Sequence, residues 1–179
     1  DTMLSSTVNW LLRDAHRTGK LALADEDNPA PGSGYVALAM GKHGAGELNY
    51  SSDIDLIILY DPETAPIAEG VEPSIFFVRM TKRLVQILQD VTEDGYGLRV
   101  DLRLRPDPRA TQVAIAIEAA AIYYESMGQN WERAAMIKAR PAGGDIRAGD
   151  AFLRELQPYV WRKYMDFAAI ADVHSIKRQ

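Results

Sequence analysis

The chain is predicted to be an α+β protein: a small mixed β-sheet flanked by helices, with a helical C-terminal part. Three observations predict it. Residues 54–60 read Ile-Asp-Leu-Ile-Ile-Leu-Tyr, a β-branched and aromatic run closed by Asp61-Pro62. Residues 98–105 alternate strictly, Leu98, Val100, Leu102 and Leu104 against Arg99, Asp101, Arg103 and Arg105, until Pro106 stops them. Apolar residues recur at helical spacing before, between and after these runs.

Each element follows in order. Val8, Leu11, Leu12 and Ala15 predict an amphipathic helix over about 3–18. Residues 24–34, with Pro29, Pro31, Gly32 and Gly34, read as an exposed loop. Tyr35 to Met40 is a short apolar run ending at Gly41, hence a buried strand. Lys42 to Ser52, with Gly44 and Gly46, reads as a flexible connection to the strand at 54–60. Pro73-Ser74 opens a helix to about Asp90, with Phe76, Met80, Leu84, Ile87 and Leu88 as its buried stripe. The strand at 98–105 follows. From about 113 the pattern is helical, over about 113–127, 131–140 (stopped by Pro141), 149–157 and onward from about 159. The chain therefore divides into an α/β core, 1–112, and a helical C-terminal part, 113–179, packed on it.

Composition limits the function. The 179 residues are 47% hydrophobic, enough for one domain with a true core. No Cys is present, so the fold has no disulfide or thiolate metal site and suits a reducing cytoplasm. Net charge is −5, which argues against a nucleic-acid partner, since gripping phosphate backbones takes a basic surface. A small nucleotide needs only a few local charges. No run reaches the roughly 18 apolar residues that span a bilayer, and the start is no secretory signal. Both ends read as cut from a larger multidomain protein.

Chemistry concentrates at Ser51-Ser52-Asp53-Ile54-Asp55-Leu56. Side chains two apart on a strand share a face, so Asp53 and Asp55 project together while Ile54 points to the core. Adjacent carboxylates resist ionising together unless a cation sits between them, and hard oxygens suit Mg²⁺, with Mn²⁺ as the alternative. Alone, the pair fits a turn-capping role equally well. Asp101, on the charged face of 98–105, adds a third carboxylate if the two strands lie side by side. Three carboxylates can hold two divalent ions for in-line phosphoryl chemistry. Gly41-Lys42-His43-Gly44-Ala45-Gly46 allows close backbone approach to phosphates but is not a Walker A loop. Lys42 serves either a phosphate or solvent. Arg103 and Arg105 either bind phosphate in bidentate fashion or neutralise the carboxylates. Arg133, Lys138 and Arg140, on one predicted helix, either reach a substrate or are solvated helix charges. His43 has no sequence partner that would make it an acid or base.

Met40-Gly41-Lys42, Asp53-Ile54-Asp55 and Asp101 together resemble the DNA polymerase β-like nucleotidyltransferase superfamily. Lys42 departs from the Gly or Ser that many members carry there. From Gly41 to Leu56, and at Val100-Asp101-Leu102-Arg103-Leu104-Arg105-Pro106, the chain resembles bacterial glutamine synthetase adenylyltransferases. Gly128-Gln129-Asn130-Trp131-Glu132-Arg133, Ala135 to Arg140 and Val160 to Phe167 resemble the N-terminal, deadenylylating half of that family. The resemblance implies a nucleotidyltransferase core that removes AMP from a tyrosine of glutamine synthetase by phosphorolysis, giving ADP. It implies Asp53, Asp55 and Asp101 as catalytic metal ligands, and Gly41, Lys42, Ser52, Arg103 and Arg105 at the nucleotide and phosphate. Arg133, Lys138 and Arg140 would contact substrate. The implied partners are glutamine synthetase, ADP or ATP, phosphate and, through the longer protein, a PII-type signalling protein. The alternatives are the forward reaction from ATP, or a non-catalytic module binding glutamine synthetase or nucleotide.

Overall fold

The computed structural model describes residues 1–93 and 95–161. A mixed sheet forms the middle layer. Strand β1 (Tyr35–Ala39) pairs antiparallel with β2 (Ile54–Tyr60), Tyr35 opposite Tyr60. Beyond β2, β5 (Val100–Asp101) and β6 (Ile115–Ala116) both pair parallel with it, β5 at its start and β6 at its end. On the other side of β1 lies β7 (Arg140–Gly144), antiparallel. A separate hairpin joins β3 (Val91–Thr92) to β4 (Gly95–Tyr96). The fold is α+β with a five-stranded mixed sheet.

Helices cover both faces, which is why β1 and β2 are almost wholly apolar. The period of two splits them cleanly. Tyr35, Ala37, Ile54, Leu56 and Ile58 pack against α1 (Thr2–Arg17) and α3 (Pro73–Gln89). Val36, Leu38, Ile57 and Leu59 face α4 (Ile117–Ser126), α5 (Asn130–Met136), α6 (Ile146–Glu155) and α7 (Gln157–Val160). Tyr35, Tyr60, Phe76 and Phe77 form an aromatic stack in the first core. The sheet draws its outer strands β6 and β7 from beyond residue 112.

Four expectations are corrected. The strand at 98–105 shrinks to Val100–Asp101. The carboxylate of Asp101 accepts the Arg103 N–H at 2.8 Å, and this local turn takes the backbone donor that a longer ladder needs. The helix at 131–140 ends at Met136, and Arg140–Gly144 is a strand. Pro-Ala-Gly-Gly carries no strand propensity, but an edge strand tolerates Pro. At Gly144, φ is +75° and an added Cβ would lie 2.0 Å from Tyr35 O, so only Gly lets β7 lie so close to β1. Residues 41–44 coil into a single helical turn, α2 (Gly41–Gly44), where a flexible link was expected. The segment expected as helix from 113 starts as β6, and α4 begins only at Ile117. Residues 162–167 of the Val160–Phe167 motif lie outside the described residues. Among the described residues no helix is long and apolar enough to cross a membrane.

Candidate functional site

Strand parity assembles the site. Asp53 and Asp55 lie on the same face as Ile57 and Leu59, the face of α4 to α7. Helices cover Ile57 and Leu59 but leave the carboxylate end of β2 open. On the neighbouring strand Asp101 is the ladder partner of Asp55, and Ile54 pairs with Val100. The three carboxylates predicted from sequence thus come to one sheet edge.

Their surroundings differ. Asp53 Oδ1 lies 2.6 Å from Arg99 Nε, and Arg99 also donates through Nη2 to Ser51 O at 2.6 Å. Asp101 accepts from Arg103 through its backbone N–H, Nε and Nη2, and these bonds hold its carboxyl below the usual range. Among the described residues no arginine is bonded to Asp55, and the charge of Arg103 only partly offsets what raises its pKa. Burial, then the charges of Asp101 and Asp53, push its pKa up. As placed, no three His, Cys, Asp or Glu side chains among the described residues are arranged to hold one metal ion. Asp53 and Asp101 point at arginines instead.

Gly41 stands over Asp55. Its φ is +52°, and an added Cβ would lie 2.9 Å from Asp55 Oδ2. Met40 N–H donates to Asp55 O at 2.9 Å. Ser52 Oγ donates to Asn49 Oδ1 at 2.7 Å, shaping the approach to Asp53. Lys42 is exposed on α2. A cavity of about 500 Å³ opens beside this edge, between Asn49–Ser52 and Gly97–Arg99. A second, of about 490 Å³, lies between α1 and α3. Its wall includes Glu72, whose charge acts on Tyr60 at the far end of β2, so it is remote from the carboxylates.

The remaining predicted contacts scatter. Arg103 is 84% exposed apart from its hold on Asp101. Arg105 is tied to backbone: Nη1 donates to Leu102 O and Nη2 to Pro108 O, so it braces the loop after β5 while its charge still acts on Asp101. The expected shared face of Asp101 and Arg105 is lost because the strand ends before Arg105. Arg133 lies buried on α5 while Arg140 opens β7, so they do not share a helix face. Lys138 pairs with Glu47 at 3.1 Å. Arg140 donates to Gly44 O and His43 O, backbone partners 96 and 97 residues away. No sequence spacing reports such partners. Glu132, in the same motif, is buried and accepts from Gln129 N–H at 2.8 Å and from Tyr123 OH, a helix cap and not a ligand contact. Arg99 is the neighbour that the sequence pattern left unmarked; its place two residues before Asp101 on the alternating face was the available signal.

Comparison with known proteins places the chain. The family described as glutamate-ammonia ligase adenylyltransferase matches residues 1–155. The bifunctional glutamine synthetase adenylyltransferase/adenylyl-removing enzyme of Mesorhizobium japonicum is 63% identical over 179 residues, all of this chain and 18% of that protein. The enzymes of the same name from Rhizobium meliloti and Agrobacterium fabrum are 57% and 56% identical, each again over 100% of this chain and 18% of the relative. The chain therefore spans under a fifth of the length of these relatives, and it belongs to the glutamate-ammonia ligase adenylyltransferase family.

Proposed function

We propose that this chain is a nucleotidyltransferase core that removes AMP from the adenylylated tyrosine of glutamine synthetase by phosphorolysis, releasing ADP. The observation that carries the reading is the ladder pairing of Asp55 with Asp101, with Asp53 on the same face. An oxygen of inorganic phosphate attacks the AMP phosphorus, the bond from phosphorus to the tyrosine oxygen breaks, and the phenolate leaves and takes up a proton. The resemblance of residues 128–140 to the deadenylylating half of the family supports this direction.

The donor set fits a hard divalent cation. All three groups are carboxylates, and Asp55 carries a charge that burial first, and then the charges of Asp101 and Asp53, make costly. Asp53, Asp55 and Asp101 would hold Mg²⁺ or Mn²⁺ once Asp53 and Asp101 leave Arg99 and Arg103. The bound metal supplies charge stabilisation for the phosphoryl oxygens. The chain's own groups do the positioning. Gly41 and Ser52 border the approach to the carboxylates, and Lys42 extends from the same turn. Arg103, released from Asp101, presents an exposed fork that matches phosphate geometry. Arg105 keeps the loop after β5 in place.

The relatives' name carries both activities, so adenylyl transfer from ATP is the second reading. ADP formation from adenylylated glutamine synthetase, phosphate and Mg²⁺ tests the first. ADP is expected with the native chain and none with Asp53→Ala. AMP transfer from ATP to unmodified glutamine synthetase, without ADP release from the adenylylated form, would reverse the direction. Full activity of Asp53→Ala would sink the carboxylate assignment.

A further inference from the structure

We propose that Arg140 is a positioning residue that holds the Gly41 turn against Asp55. The proposal rests on the reading in which Gly41 and Asp55 serve one nucleotide.

Helix α2 has four residues, a single turn, too short to hold itself by its own hydrogen bonds. Gly41 O, Lys42 O and His43 O accept from the Ala45, Glu47 and Gly46 N–H groups, the last at a long 3.2 Å, while Gly44 O accepts from no backbone N–H among the described residues. Arg140 bonds the last two carbonyls from outside the turn. Nε donates to Gly44 O at 3.0 Å, and Nη2 donates to His43 O at 3.1 Å and to Asp1 Oδ1 at 2.9 Å. The same Asp1 oxygen lies 3.0 Å from Nε2 of the buried His43. Backbone pairing brings the guanidinium within reach of these carbonyls, because Arg140 is opposite Ala39, the last residue of β1 before Met40 and α2.

The turn has no slack on that side. A Cβ added at Gly44 would lie 2.1 Å from Lys138 O and 2.7 Å from Ala39 O. At its other end Gly41 sits over Asp55 Oδ2, and Met40 N–H is bonded to Asp55 O. Fixing the His43 and Gly44 carbonyls therefore fixes the gap between Gly41 and Asp55. A planar fork with two nitrogens on two adjacent carbonyls does this. A lysine ammonium does not reproduce it, because it is one point donor on a flexible stem.

The test compares the native chain with Arg140→Gln and Arg140→Lys. Hydrogen exchange of the Gly44 and Ala45 amides, which donate to Met40 O and Gly41 O, is read without ligand. Both variants are expected to exchange there at least about tenfold faster, with the strands β1 and β2 unchanged. Calorimetric binding of ADP and of adenosine follows. ADP affinity is expected to fall about tenfold and adenosine affinity to stay within about twofold, because only the phosphates meet the turn. Unchanged Gly44 and Ala45 exchange overturns the proposal, including when ADP affinity falls, since that pattern belongs to a direct phosphate contact. Faster exchange throughout the sheet, with ADP and adenosine weakened alike, also overturns it as general destabilisation. If Arg140→Gln fails to fold, Arg140→Lys decides by the same criteria. A native chain that binds ADP no better than adenosine refutes the nucleotide reading, while the ligand-free exchange still judges Arg140.

Discussion

Two charge clusters flank the α2 turn, and they are built on opposite principles. At the Gly41 end, Asp53 meets Arg99 and Asp101 meets Arg103 through side chains, with Asp55 bonded to neither; both arginines are largely exposed, Arg99 54% and Arg103 84%. Such pairs are individually weak, because solvent screens them and long side chains lose entropy in forming them. At the Gly44 end, Arg140 bonds backbone carbonyls beside a buried histidine. Contacts of that kind resist exchange, because breaking them leaves polar groups unsatisfied. The difference teaches a division of labour: one end of the turn is held by ion pairs between side chains, the other by a side chain on the backbone itself.

The sharpest way to break this contrast is Asp55→Asn. Turnover is expected to fall by about 10³-fold or more, because the group at the centre of the site loses its charge. Stability moves the other way. The pKa of Asp55 is raised in the folded state, so its ionised form costs stability at neutral pH, and its favourable contribution is lost as pH rises through the folded pKa. The metal-free variant should therefore melt above the native chain at pH 7, and Mg²⁺ should raise the melting temperature of the native chain alone. A lower melting temperature without metal would refute the electrostatic reading.

Acid titration probes the other end. Burial above all, with the charge of Arg140 beside it, lowers the pKa of His43 from 6.5 to about 4. The folded state thus resists protonation that the unfolded chain accepts. His43 contributes stability that is present above pH 6.5 and is lost as pH falls toward 4. Urea unfolding at pH 7 and pH 4.5 should differ by about 2–3 kcal/mol more in the native chain than in His43→Gln. Equal pH dependence in the two would show that His43 is not the titrating group.

The smallest effect is expected from Arg99→Ala. Freeing Asp53 from an exposed ion pair should tighten Mn²⁺ binding about threefold, measured by paramagnetic resonance without nucleotide. Weaker Mn²⁺ binding would mean that Arg99 orients Asp53 for metal instead of competing for it.

Much of this site was legible in the sequence, and the reason is local. Asp53 and Asp55 share a face because strand period is two, and the apolar run after them made that strand plain. Asp101 was legible as a polar position on an alternating segment. The extent of that segment was not, because the Asp101 side chain competes for the backbone of Arg103, and alternation does not report such turns. The bonds of Arg105 to Leu102 O and Pro108 O, in the loop after β5, were hidden for the same reason. The strand β7 was missed because Pro141, Gly143 and Gly144 have no strand propensity; its place comes from close approach to β1, which needs residues without side-chain bulk.

By itself the sequence determined the period of α1, β1, β2 and α3, which carboxylates could share a face, and the family motifs, because all three are written in short-range spacing. Only the tertiary structure decided that β5 lies beside β2, so that Asp101 meets Asp55, and that Arg140 reaches back to α2. Those contacts join residues 46 and 96 positions apart. They are selected by burial of two apolar layers against one sheet, a property of the whole packed chain that no local window contains.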